Sequence, residues 1–173
     1  ENPEAYLVTV DDDIIYAETM LGQLIKEYRK NPGNIICTRS HLIHNRKGKL
    51  LPYNNWGVYE KRKGILKEAT FQNFFTSGAG TLFPMFRMNQ KVLLKKDIFM
   101  NIAPSADDVW LNFNAWIAGV RTKDIDSILG NYISIKNSSD KGLFRINKRK
   151  NDEQIRKTLN YMNINIDDYL KQN

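Results

Sequence analysis

Cysteine is almost absent from this sequence. The single one, Cys37, rules out an intrachain disulfide, because a disulfide needs two thiols. It follows Ile35 and Ile36, and a cysteine in such an apolar run usually packs as a small core residue. Nothing in the sequence demands an oxidising compartment, so the cytosol is the expected location.

Long apolar runs are absent as well. No stretch of eighteen apolar residues occurs, and the sequence therefore predicts no transmembrane helix. No signal peptide is recognisable, and the chain begins at Glu1 without an initiator methionine and reaches its first predicted strand almost at once. We expect a processed form or a piece of a longer protein.

What is present is the composition of a folded domain with a surplus of positive charge. The 173 residues suffice for one core, and 42% hydrophobic and 26% charged residues are typical of globular proteins. The net charge is +7, with basic clusters at 46–49, 61–63 and 148–150. This excess favours anionic partners such as nucleotide phosphates, an anionic lipid surface or nucleic acid. A solvated surface is the more frequent explanation for any one cluster.

Residues 6–38 have the pattern of a βαβ unit. The segment 6–10 is short, apolar and β-branched, which predicts a buried strand. Apolar residues recur at helical spacing over 17–29, and Asn31-Pro32-Gly33 then ends the helix. A second strand is predicted over 34–38.

The rest of the chain is less regular. Residues 39–70 are basic and aromatic without a clear period, which is typical of a functional or mobile stretch. Later elements are an aromatic helix with Ser105 as its N-cap, a strand and two helices, predicted over 109–118, 132–136, 152–162 and 166–170. We expect one α/β domain over 1–173, a mixed sheet flanked by helices, with 120–173 as a C-terminal extension.

Three consecutive aspartates, Asp11, Asp12 and Asp13, follow the first predicted strand. Ligands of open α/β sheets bind at the carboxyl edge, where these side chains should lie. Two carboxylates a short turn apart can share one Mg²⁺ or Mn²⁺ that keeps positions open for phosphate oxygens. Such an ion would neutralise a diphosphate leaving group. A capped turn before the helix is the alternative interpretation.

Two later segments also suit a site. Residues 76–84, Thr-Ser-Gly-Ala-Gly-Thr-Leu-Phe-Pro, allow a tight turn and a close approach of ligand to backbone. Asp107 and Asp108 open the aromatic helix, where negative charge complements the helix dipole. A carboxylate there could also take the proton of an attacking hydroxyl.

Together these motifs resemble family 2-type glycosyltransferases of the GT-A fold, of the kind that build bacterial polysaccharides. Residues 8–16 resemble the acidic Asp-x-Asp motif of that family. Residues 76–84 resemble its glycine-rich acceptor-side segment, and 103–110 resemble the later acidic motif that supplies the base in inverting members. The three occur in family order, cover roughly 6–120, and are far more specific in combination than singly.

The resemblance implies a role for each matched residue. Asp13 would bind the metal, Asp11 would lie near the metal or the ribose, and Asp12 could do either. Asp108 would be the general base, with Asp107 as the substitute candidate. The donor sugar and the acceptor would be lined by Gly78, Ala79 and Gly80, and Trp110 would stack on an acceptor sugar or pack in the core.

It also implies the partners: Mn²⁺ or Mg²⁺, a nucleotide-diphosphate sugar donor, and a saccharide or lipid-linked acceptor, without nucleic acid. A cytoplasmic enzyme, peripheral at the inner face of the membrane, fits such acceptors. The chain departs from the family because the N-terminal βαβ half that holds the nucleotide base is missing ahead of Asp11. It also lacks the Gln-x-x-Arg-Trp motif of processive synthases, which favours transfer of one sugar per event.

Two other function classes fit less well. Haloacid-dehalogenase-like phosphatases also place Asp-x-Asp after a strand, but Ile14 stands where they carry Thr or Val. A non-catalytic basic module that binds nucleic acid or membrane would use the charge together with Tyr53, Trp56 and Tyr59. His41 and His44 have metal-like spacing without further ligands, and we expect them to make surface or loop contacts.

Overall fold

The computed structural model describes residues 6–56, 68–125, 133–135 and 143–170. The strands are β1 (Leu7–Thr9), β2 (Ile14–Ile15), β3 (Ile35–Cys37), β4 (Ser40–Leu42), β5 (Asn45–Arg46), β6 (Lys49–Leu50), β7 (Asn73–Phe75), β8 (Thr81–Phe83), β9 (Thr122–Asp124) and β10 (Ile133–Ser134). The α-helices are α1 (Met20–Lys30), α2 (Gln90–Leu93), α3 (Lys96–Ile102), α4 (Asp107–Ile117), α5 (Leu143–Met162) and α6 (Asp167–Leu170). Short 3₁₀ helices span Tyr53–Asn55, Ser77–Ala79 and Met85–Arg87.

A four-stranded mixed sheet forms the centre, with the strand order β1-β8-β3-β9. β8 is antiparallel to both β1 and β3, whereas β9 is parallel to β3. The carboxyl ends of β1, β3 and β9 therefore lie at the same edge as the amino end of β8. The predicted α/β class, a mixed sheet with helices, is confirmed at this level.

The predicted opening βαβ unit is present, but its first strand is not buried. β1 and β3 run in the same direction with α1 between them in sequence, and β8 lies between them in the sheet. The side chains of Tyr6, Leu7 and Val10 are 53%, 46% and 54% exposed. The expectation of a buried strand is wrong because β1 is an edge strand, covered less than the central β3 and β8.

Helix α4 lies across the core and links two of its apolar clusters. Phe113 and Trp116 pack with Phe74 of β7 in one cluster, while Trp110 and Ala115 pack in another. The helix begins with Asp107 and Asp108 in its first turn, as predicted. Ser105 is not its N-cap, because Ala106 holds that position and the Ser105 hydroxyl points to Gln154.

The long helix α5 packs against α4 and begins at Leu143 rather than at residue 152. Ile155 of α5 and Leu170 of α6 complete the apolar cluster of Phe74 and Trp116. The residues predicted as a C-terminal extension thus supply part of the core.

Residues 39–56 contain more structure than their irregular pattern predicted. β4 pairs with β7, and β5 with β6 forms a tight hairpin that carries the exposed Arg46, Lys47 and Lys49. Trp56 is only 4% exposed and packs against Tyr53 and Phe74. Trp56 is therefore a core residue and Tyr53 packs against the core, so the two rings do not form a platform on which nucleic-acid bases could stack. Tyr59 and the basic cluster 61–63 lie outside the described residues.

In the part of the chain that the structure describes, no helix is both long enough and apolar enough to cross a membrane. Cys37 is fully buried in β3, as expected of a small core residue.

Candidate functional site

The strand directions bring the separated acidic and glycine-rich segments to one sheet edge. Asp11 follows β1, and the segment 77–80 precedes the antiparallel β8, so both meet there. The backbone N–H of Asp11 donates to the carbonyl of Gly78 at 3.0 Å. The Thr9 hydroxyl donates to the carbonyl of Ser77 at 2.5 Å. Two motifs about 65 residues apart in sequence thus form one structural unit.

Gly78 is the point of closest approach between these segments. A Cβ atom at this position would lie 1.9 Å from Oδ2 of Asp11, a distance that no side chain tolerates. The Tyr16 hydroxyl donates to the carbonyl of Gly78 and accepts from the N–H of Asp11 at 2.7 Å. Glycine at 78 is therefore required for the carboxylate of Asp11 to lie against the backbone.

Gly80 closes the same segment in a conformation that favours glycine. Its φ of 99° lies in the left-handed region, and the side chains of Met20 and Thr38 lie within 3.4 Å of where a Cβ would be. Ala79 is buried, and its carbonyl accepts a hydrogen bond from the Thr38 hydroxyl. The segment is held rigidly at the sheet edge, and its polar backbone groups are largely used by the protein itself.

The later acidic pair reaches the same place through Ser77. The Ser77 hydroxyl donates to Oδ2 of Asp107 at 2.8 Å. The pKa of Asp11 is raised by partial burial and, in decreasing order, by the charges of Asp13, Asp107 and Asp12. Carboxylates from two distant parts of the sequence thus lie within electrostatic reach of one another. All three segments singled out in the sequence contribute to this cluster.

Asp108 has the most perturbed carboxyl group of the cluster. Burial, and then the charge of Asp107, raise its pKa from 3.8 to about 7, against the opposing effects of the Val109 amide and Arg39. Its Oδ1 accepts the Val109 N–H at 2.8 Å, while the residue as a whole is partly exposed. A carboxyl group whose pKa is raised into the neutral range has the protonation behaviour that a general base needs.

Tyr53 and Arg39 complete the surroundings of Asp108. The pKa of Tyr53 is raised well above its usual range by burial and by the charge of Asp108, and Arg39 opposes this shift. Asn151 of α5 hydrogen-bonds the Tyr53 side chain. Arg39 comes just after β3 and therefore lies at the same sheet edge as Asp11. Because a strand was predicted over 34–38, the sequence could have indicated this position. Nothing in the irregular sequence around Tyr53 indicated that this residue would interact with Asp108.

The remaining candidates lie elsewhere. Trp110 is 3% exposed, packs in the core and donates its indole N–H to the carbonyl of Leu93 at 2.9 Å, so it is not brought to the cluster. His41 packs edge-on against Tyr53 with ring centroids 5.4 Å apart, and His44 is exposed. The expected surface or loop position is therefore found for His44, whereas His41 lies in strand β4 and is partly buried.

A metal ion would have to use the carboxylates of the aspartate cluster. Among the residues that the structure describes, no group of three or more His, Cys, Asp or Glu side chains is arranged as a complete metal site. Mg²⁺ needs only one or two carboxylates when substrate phosphates and water supply the other ligands. Asp11 and Asp13 offer such oxygens, and their mutual repulsion is the kind that a cation relieves. The donor set is thus compatible with a divalent ion shared with a phosphate.

A cleft of about 610 Å³ lies apart from this cluster, between β6 and α5. Its walls are mostly apolar, with Leu50, Trp56, Ile155 and Leu159 among them, and no residue of the acidic cluster lines it. We place the candidate site at the carboxylates, because perturbed and converging charged groups carry chemistry whereas apolar concavity alone does not.

No protein family, curated protein or solved structure matches this chain. The candidate site therefore rests on the geometry described above.

Proposed function

We propose that this chain carries the metal-binding and acceptor half of a nucleotide-sugar glycosyltransferase that inverts the anomeric centre. The observation that carries the proposal is the convergence of Asp11, the Ser77–Gly80 segment and the Asp107–Asp108 pair at one sheet edge. The three segments that resemble family motifs are far apart in sequence. Their meeting in one cluster is what a shared donor and acceptor site requires.

The acidic cluster fits the donor side of this reaction. Asp13 and Asp11 would hold Mg²⁺ or Mn²⁺, and the ion when bound would neutralise charge on the diphosphate. Asp12 is exposed beside them and could contact the ribose. The rigid backbone of 78–80 would lie along the donor sugar and the acceptor, and would fix the distance between them.

Asp108 fits the role of base on the acceptor side. Its carboxylate would take the proton of the acceptor hydroxyl, whose oxygen then forms a bond to the anomeric carbon. The bond from that carbon to the diphosphate oxygen breaks on the opposite face, and the nucleoside diphosphate leaves with the electron pair. With a pKa of about 7, roughly half of the Asp108 groups are ionised at neutral pH and ready to accept the proton.

Titration calorimetry with UDP- and GDP-sugars tests the proposal, with and without Mn²⁺. It should use both this chain and the longest available parent chain. We expect Mn²⁺-dependent binding that is weak or absent for this chain and strong for a parent that supplies the nucleotide-binding half. Absence of binding by both, together with hydrolysis of a phosphate monoester, would point instead to the phosphatase alternative.

An Asp11→Asn/Asp13→Asn double variant is the matched control for that titration, because it removes both proposed metal-binding carboxylates. Binding that depends equally on Mn²⁺ in this variant would contradict the metal assignment. Cytoplasmic location at the inner face of the membrane, a lipid-linked or saccharide acceptor and the absence of nucleic acid binding belong to the same proposal.

A further inference from the structure

The segment 85–102 has an unusual outer surface. The side chains of Phe86, Leu94 and Met100 are 54%, 67% and 47% exposed. Single exposed apolar residues are normal on proteins, whereas several large ones that lie together mark interaction sites. We call the exposed side chains of this segment the 85–102 surface.

The other apolar side chains of the segment pack inward. Met88 and Leu93 are buried in the cluster of Trp110, and Val92, Ile98 and Phe99 pack against the same cluster. The segment therefore packs on the core through these residues, while Phe86, Leu94 and Met100 between them remain exposed to solvent.

Positive charge surrounds these apolar side chains. Arg87, Lys91, Lys95 and Lys96 are all exposed, and Asp97 is the single acidic residue of the segment, which gives a local net charge of +3 (four minus one). Lysine and arginine have long apolar stems, so they can reach phosphate groups while neighbouring apolar side chains enter a less polar layer. Few charged surfaces combine both properties.

We propose that the 85–102 surface binds the face of an anionic lipid bilayer. Apolar side chains that enter the boundary between headgroups and acyl chains, flanked by basic residues that contact anionic headgroups, are the requirements for such interfacial binding. The 3₁₀ helix Met85–Arg87, the two short helices α2 and α3 and the link between them present these residues in place of one long amphipathic helix. A soluble acidic protein would complement the positive charge. It would need a separate pocket for each of the three apolar side chains, whereas a bilayer takes them up without pockets.

The segment connects the two edges of the central sheet. It begins after the carboxyl end of β8, at the edge opposite Gly78, and it ends just before Asp107. The inference stands on exposure and charge alone and does not depend on the reaction proposed above.

Co-sedimentation with vesicles tests this inference. The probes are vesicles of phosphatidylcholine alone and of an equal mixture of phosphatidylcholine and phosphatidylglycerol, at low and high salt. We expect binding to the anionic vesicles and a much weaker signal with the neutral ones. A Phe86→Ser/Leu94→Ser variant and a Lys95→Glu/Lys96→Glu variant should each lower the apparent affinity at least about tenfold.

The matched control is Leu21→Ser/Lys26→Glu on α1, where an exposed leucine and an exposed lysine occur outside the segment. This variant should bind as the unaltered chain does. Equal losses in the control and in the surface variants would overturn the inference, because general charge would then explain binding. It would also be overturned if the unaltered chain ignored anionic vesicles, or if the Phe86/Leu94 variant changed only the oligomeric state in light scattering.

Discussion

At the scale of single residues, Asp108 combines a proposed role as the base with a cost to stability. Its carboxyl group has a raised pKa of about 7, mainly because burial disfavours the charged form. The unfolded chain ionises near 3.8, so the folded state binds a proton more tightly. The stability from protonated Asp108 is complete below about pH 3.8 and is lost as the pH rises towards 7.

We therefore predict opposite effects of Asp108→Asn on activity and stability. Turnover by the intact enzyme should fall by about 10²-fold or more, because the base is lost. Unfolding at pH 8 should cost on the order of 1 kcal/mol more, because a partly buried charge is gone. Steady-state kinetics and urea unfolding measure the two effects.

The pH profile gives a second readout for Asp108. In the unaltered enzyme kcat/KM should rise through about pH 7 as the base ionises, and donor binding should change little. Asp107→Asn removes the second cause of the raised pKa of Asp108, so the rise of kcat/KM should move to lower pH in this variant. Undiminished turnover of Asp108→Asn would disprove its role as the base.

Gly78→Ala offers a second prediction at this scale. The added methyl group would lie 1.9 Å from Oδ2 of Asp11, so the carboxylate or the backbone must move. Because that carboxylate ends a flexible, exposed side chain and can rotate away, we expect little change in the free energy of unfolding, but weaker metal-dependent donor binding because Asp11 is displaced. Thermal unfolding and calorimetry would show both.

Gly22→Ala is the matched control for that substitution. Gly22 lies within α1 with no atom within 4 Å of the added methyl group. Alanine should stabilise this helix by about 0.5–1 kcal/mol. If both glycine variants bound the donor as the unaltered chain does, the contact of Gly78 with Asp11 would not matter for the site.

At the scale of elements, the errors of sequence interpretation have identifiable causes. α5 carries the polar residues Asn151, Gln154 and Thr158 on its buried face, so the apolar period that marks a helix is interrupted there. The apolar, β-branched residues of 6–10 predicted a strand, but they could not show that this strand lies at the edge of the sheet. Apolar periodicity records local preference, whereas strand order depends on the whole chain.

The polar face of α5 also supports the start of α4. Oε1 of Gln154 accepts hydrogen bonds from the backbone N–H of Ser105 at 3.1 Å and from its hydroxyl at 3.3 Å. Asn147 of α5 donates to the carbonyl of Ser105. These bonds hold the turn that precedes Asp107 and Asp108.

We predict that Gln154→Leu destabilises the protein by about 1–3 kcal/mol, because two donors of Ser105 lose their acceptor. Hydrogen exchange should increase in the first turn of α4, and the pH profile of kcat/KM should shift as Asp108 moves. Glu153→Gln changes an exposed neighbour whose ion pair with Lys157 contributes little, and it should have no comparable effect. Unchanged exchange in α4 would contradict the proposed support.

At the scale of the whole molecule, the candidate site was more predictable than the fold that builds it. Asp11, Gly78, Asp107 and Asp108 were recognisable as chemistry-bearing residues, and the structure places them together. The strand arrangement that brings them together could not be predicted. β8 lies antiparallel between the parallel strands β1 and β3, and the segment with Gly78 precedes its amino end. Long-range strand pairing leaves no local trace in the sequence.

The shared core predicts one cooperative unit rather than a domain with an appendage. α4 contributes residues to two apolar clusters, that of Phe74 and that of Trp110. β3 contributes Ile35 to the cluster of Trp110 and Ile36 to a third cluster, which contains Leu24. Removing all residues after Ile125 would delete Ile155 and Leu170 from the cluster of Phe74. We predict that this truncated chain does not fold, which circular dichroism and one-dimensional proton spectra would show. A folded truncated chain would mean that 126–173 is dispensable.

The edge of the central sheet has a consequence for how the protein associates. In the described part of the chain β1 pairs with β8 on one side only, and its flanking apolar side chains are exposed. Such an edge is a template for β-augmentation, in which a further strand joins through main-chain hydrogen bonds. A strand added beside β1 would extend the sheet next to Asp11. Another polypeptide segment that pairs with β1 would thus widen the sheet and add a wall to the candidate site.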